Sequence, residues 1–181
     1  MTATETKLKG CFIIEPQVFK DNRGYFFESF NQNRFNELIG EHVNFVQDNE
    51  SFSTQGVLRG LHFQTGEFAQ AKLIRVIQGR VLDVVVDIRK DSPTFSKHFS
   101  IELSEGNKTQ LFVPIGFAHG FIVLSETVIV SYKCDNFYNS AHEEGIIYND
   151  KDLNIDWQLD EKEFLISEKD LTLPTFLNTF L

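Results

Sequence analysis

The sequence predicts a mainly β protein, an antiparallel sandwich or barrel with a partly helical C-terminal tail. Three observations carry that prediction. Between residues 57 and 132 short β-type segments recur with turn residues between them, the spacing of an antiparallel sandwich or barrel. Within them side chains alternate with period two: Leu82, Val84, Val86 and Ile88 take one face, while Asp83 and Asp87 share the other with Val81 and Val85. From about Asp150 the composition shifts to Trp157, a run of acidic residues and Phe164-Leu165-Ile166, with Pro174 near the end. That segment reads as a cover packed over the sheets.

Taken in order, residues 11–14 form a first strand, Asp21-Asn22-Arg23-Gly24 a turn, and residues 25–30 a second strand rich in aromatic rings. A short helix follows over 33–39 and is stopped by Gly40. Gln47-Asp48-Asn49 is a polar cluster ahead of the next strand. Strands are then predicted over 57–63, 71–77, 81–88, 95–103, 110–113, 120–124 and 127–132. Gln78-Gly79 reads as a tight hairpin between the second and third of these. In 95–103, Phe95, Lys97, Phe99, Ile101 and Leu103 alternate with Ser96, His98, Ser100 and Glu102. Such alternation suits sheets with one buried face.

No repeat, low-complexity tract or linker divides the chain, so residues 1–181 are expected to form one domain. That length buries roughly 70% of the surface the unfolded chain exposes. The 17 basic and 26 acidic residues give a net charge of −9, which argues against a nucleic-acid polymer or an anionic membrane surface as partner. A small anionic ligand in a locally basic pocket is compatible with it. Two cysteines, Cys11 and Cys134, make neither a disulfide framework nor a zinc site. The start is polar, the apolar stretch after it is too short for a signal peptide, and no run approaches a membrane span. A cytoplasmic location is expected.

Chemistry concentrates in Gly56-Val57-Leu58-Arg59-Gly60-Leu61-His62-Phe63-Gln64, where Arg59 and His62 stand among apolar residues and glycines. Gln70-Ala71-Lys72-Leu73-Ile74-Arg75-Val76 embeds two more cations. A buried cation without an anionic partner is costly. Two readings stand: these cations pair with carboxylates of the protein, or they await a negative ligand. Pro114-Ile115-Gly116-Phe117-Ala118-His119-Gly120-Phe121 sets a second histidine after a Pro/Gly turn. This P-x-G-x-x-H pattern resembles the second half of the cupin signature. Metal-binding cupins carry H-x-H in the first half, and here the chain reads His62-Phe63-Gln64. Two distant histidines make a poor metal site, so no metal is expected. Acid–base chemistry fits better, since a free imidazole titrates near 6.5. Asp170 is a candidate orienting carboxylate and Tyr132 a candidate acid.

Together the motifs resemble, nearly end to end, the dTDP-4-dehydrorhamnose 3,5-epimerase family. They are Asp21-x-Arg23-Gly24-x-Phe26-x-Glu28, Gln47-Asp48-Asn49, Val57 to Gln64, Lys72-Leu73, Asp83 to Arg89 and Ser92-Pro93-Thr94-Phe95, then Pro114 to Phe121, Tyr132-Lys133, Tyr138 and Lys169-Asp170. The resemblance implies an antiparallel jelly-roll β-sandwich of the cupin type with short C-terminal helices. It implies a homodimer acting on a dTDP-4-keto-6-deoxyhexose without a cofactor. It makes His62 the base, Asp170 its partner, Tyr132 the acid on the opposite face and Lys72 the enolate stabiliser. Arg59 and His119 would hold the sugar and diphosphate, and Tyr138 would stack on thymine. Arg23, Glu28, Gln47, Asp48, Asn49, Glu143 and Lys169 would complete substrate binding, some across a dimer interface. The chain departs from the family at Glu50, where histidine is common, and Glu143 beside Glu144 leaves that register open by one.

Both C3 and C5 of such a sugar flank the C4 ketone, so proton removal gives an enolate whose oxygen needs a positive neighbour. Inversion requires the proton to return from the other face. The rival readings are a single-centre epimerase, a 3,4-ketoisomerase, a non-catalytic cupin that binds a nucleotide sugar, and a metal-dependent cupin oxygenase.

Overall fold

The computed structural model describes residues 1–180. Its strands are β1 (Thr2–Glu5), β2 (Phe12–Glu15), β3 (Phe19–Asp21), β4 (Gly24–Phe26), β5 (Gln47–Thr54), β6 (Val57–Gln64), β7 (Lys72–Gln78), β8 (Arg80–Asp87), β9 (His98–Ser104), β10 (Gln110–Val113), β11 (Phe117–Val123), β12 (Thr127–Cys134), β13 (Glu143–Gly145) and β14 (Leu165–Ile166). The helices are α1 (Gln32–Ile39), α2 (Glu168–Leu171) and α3 (Phe176–Phe180). One sheet runs β1-β2-β10-β7-β12-β5. The second runs β13-β6-β11-β8-β9, with β14 added in parallel to β6. This is an antiparallel jelly roll, as expected, and β3 and β4 form a separate hairpin.

Apolar faces of the two sheets meet in one core. Ile74 and Val76 of β7, Val128 and Val130 of β12 and Leu111 of β10 pack there with Val81 and Val85 of β8 and Phe117 and Phe121 of β11. A second cluster lies on the far side of β6, β8 and β11. Leu58, Leu61, Leu82, Val84, Val86 and Ile122 are covered there by Leu153, Trp157 and Phe176. The tail after Asp150 is thus the expected cover. A third cluster seats Phe35 and Ile39 of α1 on Leu73 and Phe112. This helix starts where Asn31 accepts from the Arg34 N–H and stops at Gly40, whose φ is 73°.

The structure corrects several expectations. Strand β8 is buried from Val81 to Asp87, so its alternation separates two cores rather than core from solvent. Gln78-Gly79 is not a hairpin: β7 and β8 belong to different sheets. Both edges of β7 are taken by β10 and β12, so the chain leaves for the other sheet. Gly79, at φ 77°, makes that corner against Thr127, whose carbonyl oxygen lies 2.1 Å from where a Cβ would sit. Gln47-Asp48-Asn49 opens β5, whose polar residues pair with β12 from Cys134 back to Thr127. The aromatic strand ends at Phe26 and pairs with an unforeseen β3. Strand β9 begins only at His98, leaving Phe95 to stack on Phe176 with ring centroids 5.2 Å apart. Strand β11 begins at Phe117, so His119 lies inside it.

Candidate active site

The site forms where β6 pairs with β11. His62 is paired with His119, and the register then shifts before Phe121 pairs with Arg59. The shift has steric support: a Cβ on Gly60 would stand 2.6 Å from the Gly120 Cα, so these strands approach as closely as they do because both residues are glycine. It also has a consequence for aim. Residues three apart on a regular strand point to opposite faces, yet Arg59 and His62 line one cavity of about 460 Å³ with Lys72, His119, Tyr132, Glu143, Lys169 and Asp170.

His62 Nε2 lies 2.8 Å from Asp170 Oδ1, and the Asp170 side chain is only 5% exposed. The Gly60 N–H donates to the other oxygen at 3.3 Å. Ser167 caps α2 by accepting from the Asp170 N–H, and β14 just before it pairs with β6. Burial pushes the Asp170 carboxyl up, but the His62 bond and charge and the Gly60 N–H outweigh it, and the net shift is down. An ionised Asp170 accepts the Nε2–H, leaving His62 Nδ1 as the proton-accepting nitrogen.

Lys72 opens β7 beside Cys134. Among the described residues it has no hydrogen-bond or carboxylate partner, and burial pushes its pKa down against the pull of Cys134, Asp83 and Glu143. Arg59 donates to Ser53 Oγ from Nε and Nη2 at 3.3 and 3.2 Å. Neither cation pairs with a carboxylate among the described residues, which favours the ligand reading over the internal ion pair. Tyr132 projects into the same cavity from β12, and burial raises its pKa above the ordinary 10.0, so the phenol keeps its proton at neutral pH.

A second hollow of about 320 Å³ shares His62, Lys72, Tyr132 and Glu143 and adds Gln47, Asn49, Gln64, Gln70 and Tyr138. Glu143 bonds to Lys169 Nζ and accepts from the Tyr138 hydroxyl at 3.1 Å. Burial raises the Glu143 pKa, while Lys169, His62 and Tyr138 lower it to a net downward shift. Glu144 is exposed instead, so the open register falls on Glu143. The Tyr138 ring is 52% exposed, free to stack on a planar ligand.

Three sequence-predicted residues lie elsewhere. Asp48 alternates with Gln47 and Asn49, so it faces outward and binds Lys133 Nζ at 2.8 Å. Arg23, its side chain 86% exposed, pairs with Asp21 on the β3–β4 hairpin, and Glu28 pairs with Arg34. None lines the cavity of its own chain. Sequence reasoning missed Asp83 as a site residue. It is fully buried and accepts from His119 Nε2 at 2.9 Å, and its signal was a carboxylate inside an apolar strand. Among the described residues no three His, Cys, Asp or Glu side chains group to hold a metal ion.

The model of the dTDP-4-dehydrorhamnose 3,5-epimerase family matches residues 5–178. The chain belongs to that family. A family member from Shigella flexneri named dTDP-4-dehydrorhamnose 3,5-epimerase is 50% identical over 178 residues, 98% of this chain and 97% of its own. The crystal structure of the epimerase from Elizabethkingia anophelis superposes with a TM-score of 0.96 at 54% identity, covering 100% of this chain and 99% of that one. An epimerase from Legionella pneumophila, solved in complex with dTDP-4-keto-L-rhamnose, matches with a TM-score of 0.92 at 45% identity over 96% of this chain and 92% of its own. No helix among the described residues is long and apolar enough to cross a membrane.

Proposed function

We propose that this protein converts dTDP-4-dehydro-6-deoxy-D-glucose to dTDP-4-dehydro-L-rhamnose by inverting C3 and C5, a step of dTDP-L-rhamnose formation. One observation carries the chemistry: an oriented histidine, a protonated phenol and an ammonium with no carboxylate partner among the described residues line a single cavity. His62 Nδ1 takes the proton from C3 or C5, and Asp170 stabilises the imidazolium that results. Negative charge moves onto the C4 oxygen, where Lys72 opposes it. Tyr132, on the other sheet, returns a proton to the opposite face. The ketone is the electron sink, so the reaction needs neither metal nor other cofactor.

In this reading the linear ligand occupies both hollows, which share His62, Lys72, Tyr132 and Glu143. Thymine stacks on Tyr138, with Gln47, Asn49, Glu143 and Lys169 around the nucleotide. Arg59 and His119 hold the diphosphate and sugar. The protein acts as a cytoplasmic homodimer of one-domain subunits. Phe19, Tyr25 and Phe26 are 55%, 57% and 71% exposed around Arg23 on the hairpin, an apolar surface suited to burial against a second copy. In that dimer Arg23 and Glu28 reach the neighbouring cavity.

The test is to incubate the pure protein with dTDP-4-keto-6-deoxyglucose in heavy water and follow both protons by NMR. Exchange and inversion at C3 and C5 are expected. Exchange at one carbon alone would make it a single-centre epimerase, and no exchange at either would refute the proposal.

A further inference from the structure

Strand β5 carries a polar row into the sandwich. Gln47, Asn49, Ser51 and Ser53 are its less exposed residues, while Asp48, Glu50, Phe52 and Thr54 are exposed. Three of the four inward side chains have partners: Gln47 donates to Asn49, Asn49 to Cys134 Sγ, and Ser53 accepts from Arg59. The fourth does not. Ser51 Oγ is the one buried side-chain oxygen or nitrogen among the described residues that lacks a hydrogen-bond partner. A hydroxyl withdrawn from water without a partner is destabilising, and its residue lines the larger cavity with Arg59, His119 and Tyr132, so a turn of the Ser51 side chain would present the hydroxyl there.

Its place along the cavity indicates its ligand. Tyr138 and Gln47 line only the hollow assigned above to the nucleotide, and Ser51 and His119 line only the other. His62, Lys72 and Tyr132 border both. In a nucleoside diphosphate sugar the base, pentose, diphosphate and hexose follow in a line, so a ligand with its base at Tyr138 brings its far end to Ser51. Ser51 pairs with Val130 on β12, and Tyr132 pairs with Asn49. Ser51 is therefore the diagonal neighbour of Tyr132 on the same inner face, the two strand positions lying about 7–8 Å apart.

We propose that Ser51 is a substrate-positioning residue whose hydroxyl bonds an oxygen of the hexose, holding the ring between His62 and Tyr132. This rests on the epimerase reading for the orientation of the ligand but not for the existence of the contact. Ser51 has no bond to a protein group that it must give up when the sugar enters.

The test compares wild type, Ser51→Ala and Ser51→Thr in three measurements. Calorimetric affinity for dTDP-glucose and for dTDP reports binding without turnover. Ser51→Ala should weaken dTDP-glucose about 10-fold, the scale of one neutral hydrogen bond, and leave dTDP unchanged, with Ser51→Thr recovering part of the loss. Epimerisation should show a similar drop in kcat/KM. The melting temperature of Ser51→Ala should not fall, because no internal bond is removed. Equal loss for dTDP and dTDP-glucose would place the contact on the nucleotide and overturn the proposal. Unchanged dTDP-glucose affinity, or a fall in melting temperature of several degrees, would overturn it as well. A wild type that binds dTDP-glucose but epimerises nothing would refute the function and leave this contact to be judged on affinity.

Discussion

Replacing Asp170 by Asn changes one atom and forces a choice that the geometry makes costly either way. The carboxylate accepts at two points, from His62 Nε2 at 2.8 Å and from the Gly60 N–H at 3.3 Å. A carboxamide has one acceptor and one donor. If its oxygen faces His62, its NH2 faces the Gly60 N–H, and a buried donor pair costs about 1–3 kcal/mol of stability. If it flips, the NH2 donates to Nε2, which moves the histidine proton to Nδ1 and removes the base. In both orientations the imidazolium loses its counter-charge. Proton exchange at C3 and C5 should fall by about 10²–10⁴-fold, the scale of general acid–base assistance. The assay is deuterium incorporation in heavy water, paired with nitrogen NMR of His62 to read the tautomer and chemical denaturation to read stability. Wild-type exchange in Asp170→Asn with Nε2–H retained would refute the reasoning, since the dyad would then be structural.

Three further predictions rest on other groups. Tyr132→Phe keeps the base and loses the acid, so deuterium should enter with configuration retained while epimerised product falls sharply; product at the wild-type rate would remove Tyr132 from the mechanism. In the proposed mechanism the Lys72 ammonium is the active form, and burial lowers its pKa, so kcat should decline as pH rises through a value below 10.5, earlier than the raised Tyr132 phenol titrates. Lys72→Ala should lose about 10²–10³-fold at neutral pH, and a flat profile to pH 10.5 in the wild type would contradict the assignment. Asp87 is fully buried as a side chain. Burial raises its pKa, but Arg89, Ser92 and Thr94 bring it from the ordinary 3.8 to about 2. The unfolded carboxyl binds its proton first, so this stabilisation is complete above pH 3.8 and lost as pH falls towards 2. It is worth about 2 kcal/mol. Urea unfolding of Asp87→Asn should show a deficit at pH 7 that narrows by that amount towards pH 2, and a deficit independent of pH would show that the charge contributes nothing.

Local pattern determined much of this protein in advance. Period-two alternation marks β8 and β9 because side chains on a strand point alternately to two faces, and α1 stops at Gly40 because a helix end needs a left-handed residue. The ordered motifs singled out His62, Asp170, Lys72 and Tyr132, which the fold brings to one cavity. Which sheet each strand joins was not legible locally: Gln78-Gly79 suits a hairpin, and only the occupied edges of β7 send the chain across. Nor was the burial of both faces of β8, since that depends on a tail some 70 residues downstream. Arg59 and His62 are spaced to diverge, and the register shift at the close approach of Gly60 and Gly120 turns both into one cavity. Asp170 meets His62 across 108 positions, and Ser51 is unremarkable until its neighbours are seen to leave its hydroxyl without a partner. Residue identity and short-range periodicity are properties of a segment. Proximity between segments, and the hydrogen bonds that remain unmade, depend on how the whole chain packs.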